Sequence, residues 1–593
     1  MNRHLITTAD ERSWKFDRPV LFLGEWCRLY DRKHIWEGMD ATVAEPYGLK
    51  VEQKHRDLEY VENLSSQLLK ELTDALNAFH NTNHSLRYWQ IVLGHWLKRY
   101  VGTTFNRYFT LEQTIEDHEV SGTTVFDATD YRLATNDSLT FILACNDDVW
   151  NHVLYAKILD VFGNVRTEMD SAPLQGISDF VQEGNYKVAR RPGVKRFILS
   201  AVNYILPKLS RKCDAFIINS YLQLKEEAKL QLSLGQCPQL WRSPARKNVV
   251  LDPERRRRFG IDAENYTGFE RFVRSQLGEF IPICYLEGYD QLVQQAKSLP
   301  WPVEPRFIFT SNNFDTDEIF KVWAGSKAEE GVPYFTGQHG NNYGTHFYAG
   351  ISTWPERSTA DKFFTWGWSD GSPNVVPAFN FKTAGLNSNR FNREGGLLLI
   401  EVCPPHLVTP WDNYFEFAIY QEEQFRFAAA LPPAIQQKLT VRLHYAYRYF
   451  RWSDEHRWKD RSPHTQIETG ATNIRELIAQ SRLVVHSYDS TGILETLALN
   501  IPTLCFWHGG LDQLLPSAKP YYELLRNAGI LANSPEHAAE LVSLHWDNVS
   551  EWWGSRKAQN ARKSFCEQYA RTEKHPVRTM KRFLTTHANN RQK

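Results

Sequence analysis

RLVVHSYDSTGILETLALNIPTLCFW, residues 482–507, is the stretch of sequence that decides the predicted fold. Its apolar run 483–485 is typical of a buried parallel strand, and residues 503–507 repeat that pattern. Between the two runs, a polar turn precedes a helix at 493–499 whose apolar residues lie mostly on one face. The stretch therefore predicts a β-α-β unit whose turn lies at the carboxyl edge of a parallel sheet, where ligands bind.

The turn of this unit carries side chains suited to binding a phosphate group. Hydroxyls at Ser487, Ser490 and Thr491 precede the helix, Gly492 completes the turn, and the helix N-terminus offers free N–H groups. Glu495, one turn into the helix, is placed to accept hydrogen bonds from ribose hydroxyls. The alternative is an ordinary N-cap followed by an exposed glutamate. The number of hydroxyls in one turn favours the ligand site.

Composition limits the class of protein. A chain of 593 residues is too long for one core and predicts two large domains. Lys plus Arg and Asp plus Glu both number 69, which argues against a chain built mainly to bind nucleic acid. The eight cysteines are scattered without a CxxC pair, as in a reducing compartment. With no signal peptide or bilayer-spanning apolar run, we expect a cytoplasmic protein and leave open peripheral contact with the inner membrane.

Strand and helix patterns divide the chain into two α/β halves and a tail. We predict an N-terminal domain at 1–390 on the acceptor side, a C-terminal domain at 391–549, and a basic helical tail at 550–593 that packs back. The polar, glycine-containing segment 380–396 is predicted as the linker. The predicted strands are 19–27, 215–219, 306–310, 332–336, 361–368, 397–400, 439–445, 483–485 and 503–507. The segments 512–528 and 535–544 finish the C-terminal domain. The predicted helices are 61–80, 85–108, 139–159, 197–206, 315–330, 413–430, 472–480, 493–499 and 550–587.

A glycine-rich loop, QHGNNYG at 338–344, follows the predicted strand 332–336. Its glycines permit close approach of a ligand to the backbone, and His339 is able to act as an acid, a base or a charge stabiliser. The alternative is a loop whose glycines only satisfy positive φ angles, with His339 hydrogen-bonded in the core. Both interpretations stay open. The substrate-loop residues are Gln338, Gly340, Asn342, Tyr343 and Gly344.

Three other strand ends carry polar groups. Arg442 and His444 share one face of a strand end, where they would neutralise a phosphate or a carboxylate, or form a structural salt bridge. Glu401 and His406 follow the first strand of the C-terminal half, and Glu25 occupies the matching place in the N-terminal half. No single one of these groups indicates a site. Together they predict one, because all of them follow strand ends that would face the same cleft.

Several common motifs are absent from the sequence. There is no GxxxxGK[ST] loop, no GxGxxG after the first strand and no HExxH. The triplet Asp315-Thr316-Asp317 matches a metal-binding DxD pattern, but it opens a predicted helix, where acidic residues favour the helix dipole without a metal. We therefore predict a metal-independent protein.

Four segments together resemble a known family. LFLGEWC at 21–27, QHGNNYG at 338–344, DKFFTWGW at 361–368 and HSYDSTGILETLALNIPT at 486–503 look like transferases encoded in bacterial O-antigen and surface-polysaccharide clusters. More distantly, the second half resembles GT-B glycosyltransferases, including Kdo- and sialic-acid-type enzymes that use CMP-activated sugars. The resemblance implies an α/β fold of two Rossmann-like domains that face a central cleft, with extra helices in the N-terminal half. The Gly-Asn-Asn after His339 departs from that pattern, which has more glycine.

The resemblance also implies roles for the residues already singled out. Nucleotide or donor binding falls to Ser487, Ser490, Thr491, Gly492, Glu495, Arg442, His444 and Glu401. The loop around Asn342 and Tyr343 would face the transferred sugar. His339 is the first candidate for the catalytic base, and Asp489 and Glu25 are the second candidates.

The predicted activity is therefore transfer of a sugar from a nucleotide-activated donor, for which a CMP-linked ulosonic acid is one candidate. The acceptor would be a glycan or lipid-linked precursor of O-antigen or surface polysaccharide. The donor is a substrate, and no cofactor is predicted. Two alternatives stay open. One is transfer of a polyol phosphate from a CDP-alcohol, and the other is a non-catalytic protein that binds nucleotide or carbohydrate.

Overall fold

A computed structural model describes residues 2–174, 209–348, 354–386, 391–402, 417–448 and 451–589. Within these ranges the strands form three five-stranded sheets, and every strand pairing within them is parallel. We call them the N-terminal, middle and C-terminal sheets. The predicted helix 197–206 and His406 lie outside the described residues.

The N-terminal sheet is the part of the fold that the sequence patterns mostly missed. Its spatial order is third, second, first, fourth, fifth strand, as in one half of a doubly wound fold. Only the second strand was predicted, because it is wholly apolar, whereas the others mix polar with apolar side chains. Residues 1–390 therefore contain two sheets rather than one. The strands are Arg3–Ile6, Val20–Phe22, Ala41–Val43, Val120–Phe126 and Thr167–Asp170.

The middle sheet has its strands in sequential order, so each strand lies beside the next one in the chain. One of its faces shares a core with the N-terminal sheet, through side chains such as Ile308 and Tyr334. The opposite face, which includes Phe309 and Phe364, packs against helices from the end of the chain. The strands are Phe216–Ile218, Ile308–Thr310, Tyr334–Gly337, Lys362–Thr365 and Val375–Pro377.

The C-terminal sheet contains the stretch quoted first. Its spatial order is third, second, first, fourth, fifth, so the chain reverses direction between the first and fourth strands. Ile400 pairs with His486 on one side and with Arg442 on the other, so three strands end side by side. This register brings the residues that follow these strands to one sheet edge. The strands are Gly396–Ile400, Leu439–Arg442, Gln466–Glu468, Ser481–His486 and Thr503–Cys505.

Helices cover the sheets and join them. The two longest helices, Val51–His80 and Leu86–Asp117, pack on each other within the core shared by the N-terminal and middle sheets. The remaining α-helices are Lys33–Trp36, Ser138–Ala144, Asp148–Phe162, Leu224–Ser233, Pro253–Arg257, Gly268–Phe280, Tyr289–Lys297, Glu318–Glu329, Pro355–Ser358, Phe417–Ala430, Pro433–Gln436, Asp454–Arg461, Ile474–Gln480, Thr491–Ala498, Lys519–Asn527, Pro535–His545, Val549–Gly554, Arg556–Tyr569 and Pro576–Asn589.

The last two helices, Arg556–Tyr569 and Pro576–Asn589, pack on the middle sheet. Phe565, Met580 and Leu584 are buried in the core of that sheet's second face. Gly367 in the middle sheet admits this packing, because an added Cβ there would lie 2.8 Å from the carbonyl oxygen of Glu567. The end of the chain therefore completes a core that begins near residue 215.

Candidate active site

A cavity of about 710 Å³ lies at the carboxyl edge of the C-terminal sheet, where its strand order reverses. Ligands of doubly wound sheets bind at this position, and pockets for small ligands have volumes of about 300–1,000 Å³. The structure therefore brings most of the predicted donor-binding residues into one cavity. The predicted residues that line it are Glu401, Arg442, His444, Ser490, Gly492 and Glu495. Polar residues that the sequence patterns did not single out are Lys225, Asn473, Arg475, Glu476 and Tyr488.

The N-terminus of the Thr491–Ala498 helix points its free N–H groups toward this region. Ser490 is the N-cap, and its hydroxyl accepts a hydrogen bond from the Ile493 N–H at 3.3 Å. The N–H groups of Thr491 and Gly492 have no acceptor within the described part of the chain, as is usual for a first turn. Such a terminus favours an anion.

Gly492 is required by close packing as well as by the turn. A Cβ at this position would lie 2.7 Å from the His486 ring, beneath the helix. Burial lowers the pKa of His486 to about 3, so this ring is neutral at pH 7. The His486 ring next to the helix N-terminus therefore carries no positive charge, and it does not compete with the helix dipole for an anion.

Glu495 connects the cavity to the middle sheet. One of its carboxylate oxygens lies 3.6 Å from Nζ of Lys382, which follows the last strand of the middle sheet. Lys382 also lies over the Tyr221 ring, 5.0 Å from its centroid. The Glu495 side chain is 27% exposed, so its carboxylate remains accessible to a ligand. Lys382 was not predicted from sequence.

Arg442 is mainly occupied by the protein itself. Its Nε lies 2.8 Å from a carboxylate oxygen of Glu468, and its NH1 donates to the Leu443 carbonyl at 2.5 Å. Glu468 in turn accepts hydrogen bonds from the N–H groups of Gly470 and Thr472. Of the two roles considered for Arg442, the structure therefore shows the structural salt bridge. His444 also lines the cavity, and burial lowers its pKa to about 4, so it is neutral at pH 7.

Glu401 lines the cavity as a buried carboxyl group. One carboxyl oxygen accepts a hydrogen bond from the Trp458 indole at 2.9 Å. Burial, together with the nearby carboxylate of Asp454, raises the pKa of Glu401 well above its usual range. Burial therefore favours the protonated form, in which the group offers a hydrogen-bond donor instead of a negative charge.

Ser487 and Asp489 do not face the cavity as predicted. The Ser487 hydroxyl is buried between the Ile400 carbonyl at 3.1 Å and the Tyr420 hydroxyl at 3.0 Å. Both carboxylate oxygens of Asp489 are also engaged. The hydrogen-bond partners of Asp489 are Asn341 Nδ2 at 2.7 Å, His346 Nε2 at 2.7 Å and the Tyr522 hydroxyl at 2.9 Å. These partners make Asp489 a link between the two sides of the cleft.

The QHGNNYG loop runs from the middle sheet to the Thr491–Ala498 helix. Gln338 is structural, because its Oε1 accepts hydrogen bonds from the Trp366 N–H and the Trp368 indole at 2.9 and 2.8 Å. The Asn341 N–H donates to the Thr491 hydroxyl at 3.0 Å. Gly340 allows this contact, since an added Cβ would lie 3.1 Å from the same hydroxyl. Thr491 therefore holds the loop, while the helix N–H groups remain open.

Two residues of the loop have left-handed backbone conformations. Asn342 has φ of 75° and Gly344 has φ of 71°. Asparagine is one of the few non-glycine residues that adopt this region readily. Asn342 therefore adopts the left-handed conformation without a glycine at this position. Gly344 is further constrained, because an added Cβ would lie 2.4 Å from the Trp368 ring.

His339 belongs to a buried hydrogen-bonded chain. The Tyr343 hydroxyl lies 2.8 Å from His339 Nδ1 and 2.6 Å from Glu356 Oε1. His95 Nε2 lies 3.2 Å from the other oxygen of Glu356. Burial lowers the pKa of His339 to about 4 and raises that of Glu356 to about 7. His339 Nε2 has no hydrogen-bond partner among the described residues.

The acidic triplet 315–317 is divided between two roles. Asp317 caps the Glu318–Glu329 helix by accepting a hydrogen bond from the Phe320 N–H at 3.1 Å. Asp315 instead pairs with Arg99 at 2.6 Å and lies near His339. No group of three or more His, Cys, Asp or Glu in the described ranges could hold a metal ion. Metal independence remains a prediction.

Glu25 lies at a different sheet edge from the groups above. It follows the Val20–Phe22 strand of the N-terminal sheet, and its carboxylate lies 2.5 Å from Arg28 NH2. The next residue, Trp26, donates its indole N–H to the Thr7 carbonyl at 3.1 Å. No contact in the described part of the chain joins Glu25 to His339 or to the cavity, so the predicted shared cleft does not extend to it.

Sequence patterns missed His95, Arg99 and Glu356, the titratable and charged groups around His339. A signal was available for the first two, because charged side chains interrupt the aromatic helix Leu86–Asp117 at i and i+4. Such residues are rarely buried unless they are paired. Glu356 gave no signal, since it lies in a short helix far from its partners in sequence.

The sequence model described as LIC12162 family transferase matches residues 3–584. No curated protein matches the sequence. Among the described residues, no helix has the length and apolar character needed to cross a membrane.

Several solved structures show partial likeness to this chain. The S. aureus MnaA complex with UDP is 12% identical and covers 51% of this chain and 81% of its own, with a TM-score of 0.32. MurG of Acinetobacter baumannii is 9% identical and covers 63% of this chain and 99% of its own, with a TM-score of 0.32. The wall teichoic acid polymerase TagF is 11% identical and covers 68% of this chain and 96% of its own, again with a TM-score of 0.32. With TM-scores this low, the likenesses say nothing about function.

Proposed function

The chain belongs to the LIC12162 family of transferases, and we propose that it transfers a sugar from a nucleotide-activated donor to a surface-polysaccharide acceptor. The observation that carries this proposal is the cavity of about 710 Å³ at the strand-order reversal of the C-terminal sheet. A helix N-terminus and a partly exposed carboxylate line it together. This combination suits a phosphate group attached to a ribose.

The donor would lie with its phosphate at the Thr491–Ala498 helix and its ribose at Glu495. The free N–H groups of Thr491 and Gly492 supply donors to phosphate oxygens, and the cavity-lining Lys225 and Arg475 supply positive charge. The carboxylate of Glu495 accepts hydrogen bonds from ribose hydroxyls. Burial raises the pKa of Glu401, and in its protonated form this group would add a hydrogen-bond donor for the base or the sugar.

The transfer step places modest demands on the protein. It must stabilise the leaving phosphate, orient the acceptor hydroxyl and remove its proton. Nζ of Lys382 lies 3.6 Å from Glu495 and its charge also acts on His339, so it would stabilise the leaving phosphate. His339 has an unpartnered Nε2 and is neutral at pH 7, so it serves as the base.

The finer identity of the substrates rests on sequence resemblance. The segments 338–344 and 486–503 resemble transferases of O-antigen and surface-polysaccharide clusters, and the second half resembles enzymes that use CMP-activated sugars. We therefore propose CMP-linked sugars, including ulosonic acids, as the first donors to test. A glycan or lipid-linked O-antigen precursor is the corresponding acceptor.

Thermal stabilisation by a nucleotide panel tests the donor site. A ligand that binds only the folded state at 100 times its Kd stabilises it by about 2.7 kcal/mol. We expect one of CMP, CDP, UDP, GDP and ADP to raise the Tm of the wild type, and Glu495→Ala to reduce that shift. Glu523→Ala, an exposed glutamate in the Lys519–Asn527 helix, is the matched control and should respond like the wild type. If no nucleotide raises the wild-type Tm, the proposed donor site is wrong.

A further inference from the structure

Tyr343 connects the proposed base to a carboxyl group that the sequence did not single out. Its hydroxyl lies within hydrogen-bond distance of both His339 Nδ1, at 2.8 Å, and Glu356 Oε1, at 2.6 Å. Tyr343 and Glu356 are both buried, while His339 is partly exposed. The three groups therefore form a chain that leads from an accessible ring nitrogen into the core.

On the basis of the proposed function, we infer that Glu356 is the final acceptor of the proton that His339 removes from the acceptor hydroxyl, with Tyr343 as the relay between them. Three proton transfers make up the step. The acceptor O–H passes its proton to His339 Nε2, Nδ1–H passes its proton to the Tyr343 oxygen, and the Tyr343 proton passes to Glu356 Oε1. The acceptor oxygen forms its bond to the sugar, and the donor phosphate leaves with the electron pair of the broken bond.

The number of protons available to Glu356, Tyr343 and His339 gives this hydrogen-bonded chain two states. Tyr343 has only one proton to donate. When Glu356 is ionised, that proton points to Glu356, the tyrosine oxygen accepts from Nδ1–H, and Nε2 carries a lone pair. When Glu356 is protonated, it donates to the tyrosine oxygen, Tyr343 donates to Nδ1, and Nε2 carries the proton. The protonation of Glu356 therefore sets the tautomer of His339.

The surroundings of both groups favour this arrangement. Burial lowers the pKa of His339 to about 4, so an imidazolium held at this position would be unfavourable at pH 7. Burial raises the pKa of Glu356 to about 7, which matches a proton acceptor that works near neutral pH. The relay delivers the proton to the group that retains it and leaves the imidazole neutral. The titratable and charged groups that face Glu356 are His95, Lys98, Arg99, Asp315, Tyr334 and Tyr343.

A spectroscopic test does not depend on turnover. In protein labelled with ¹⁵N-histidine, the His339 ring nitrogens are assigned by their loss in His339→Gln. We expect the wild type to change from the Nε2–H tautomer to the Nδ1–H tautomer as pH rises through about 7. Glu356→Gln and Tyr343→Phe should each abolish that change. A His339 tautomer that is constant from pH 5 to 9 in the wild type, or that still switches in both variants, would overturn the relay.

The kinetic test uses the full chain with the donor identified by the nucleotide panel. Wild-type kcat should fall as pH drops below about 7, because a protonated Glu356 leaves no proton acceptor. Glu356→Gln should lose about 10²- to 10⁴-fold in kcat and lose this pH limb, with the donor KM unchanged. Glu356→Asp should restore part of the rate. Tyr343→Phe, which keeps the ring, should behave like Glu356→Gln.

The outcomes separate the relay from the proposed function. Nucleotide stabilisation that persists in Glu356→Gln shows that the variant folds and keeps its donor site. A tautomer switch without sugar transfer from any donor would contradict the proposed function and leave the proton link standing. Transfer activity whose pH profile is the same in wild type and Glu356→Gln would contradict the relay and leave the proposed function standing.

Discussion

Asp489 shows how the surroundings of a residue decide its role. It was a candidate base from sequence, yet its two carboxylate oxygens accept hydrogen bonds from Asn341, His346 and Tyr522. The Asn341 and His346 partners come from the loop that follows a strand of the middle sheet. Asp489 therefore holds the two sides of the cleft together, and its oxygens are not available to a substrate.

Replacing Asp489 should accordingly affect stability. Asp489→Ala removes a carboxylate that accepts hydrogen bonds from three buried polar groups, and we expect it to lower the free energy of unfolding by about 2–4 kcal/mol. Asp512→Ala removes an exposed carboxylate nearby and should change it by less than about 0.5 kcal/mol. Urea denaturation of both variants measures the difference. Equal stability of Asp489→Ala and the wild type would contradict the linking role.

Glu356 predicts a pH dependence of stability. Its pKa is about 7 in the folded protein against a usual value of 4.5, so between these values the folded state binds more protons than the unfolded state. The contribution of Glu356 to stability is therefore full below pH 4.5 and is lost as pH rises through 7. Glu356→Gln cannot ionise. The difference in free energy of unfolding between this variant and the wild type should therefore increase, in favour of the variant, by up to about 3 kcal/mol from pH 5 to pH 8. Urea denaturation at both pH values measures this gain, and a stability difference that is the same at pH 5 and pH 8 would exclude the assigned titration.

At the scale of elements, the QHGNNYG loop contains two residues with left-handed backbone conformations, Asn342 and Gly344. They should differ in how well they tolerate substitution. Gly344→Ala places a Cβ against the Trp368 ring and strains the backbone, so it should cost about 2–4 kcal/mol. Asn342→Gly keeps the same backbone region and should change the free energy of unfolding by less than about 1 kcal/mol. Chemical denaturation of the pair checks the difference. Similar losses in both variants would contradict this account of the loop.

The elements also show what sequence can and cannot predict. The strands at 397–400 and 483–485 were predicted because buried parallel strands give unbroken apolar runs. The strand Ala41–Val43 is short, and Val120–Phe126 mixes polar with apolar side chains, so neither gives such a pattern. Ser487 looked like a phosphate ligand because its partner, the Tyr420 hydroxyl, comes from a distant helix. Local sequence reveals the edge of a sheet, but the partners that occupy a side chain there come from tertiary packing.

At the scale of the whole molecule, residues from both sides of the cleft meet at the cavity. Lys225 and Gly385 line it from the first half of the chain, and the C-terminal sheet contributes the helix with Glu495. Lys382 and the loop that contains His339 contact that helix, at Glu495 and Thr491. The N-terminal sheet extends the core on the other face of the middle sheet and contacts this cavity through no described residue. Donor binding is therefore expected from the second half of the chain, with the base supplied from across the cleft.

The most direct test of this account is a crystal structure of the protein with the nucleotide that raises its Tm most. We predict phosphate density at the N–H groups of Thr491 and Gly492, and ribose hydroxyls within hydrogen-bond distance of the Glu495 carboxylate. The same structure should show His339 Nε2 facing the open side of the phosphate. Nucleotide density at the carboxyl edge of the N-terminal sheet, beside Glu25, with an empty cavity at Glu495, would contradict the central claim.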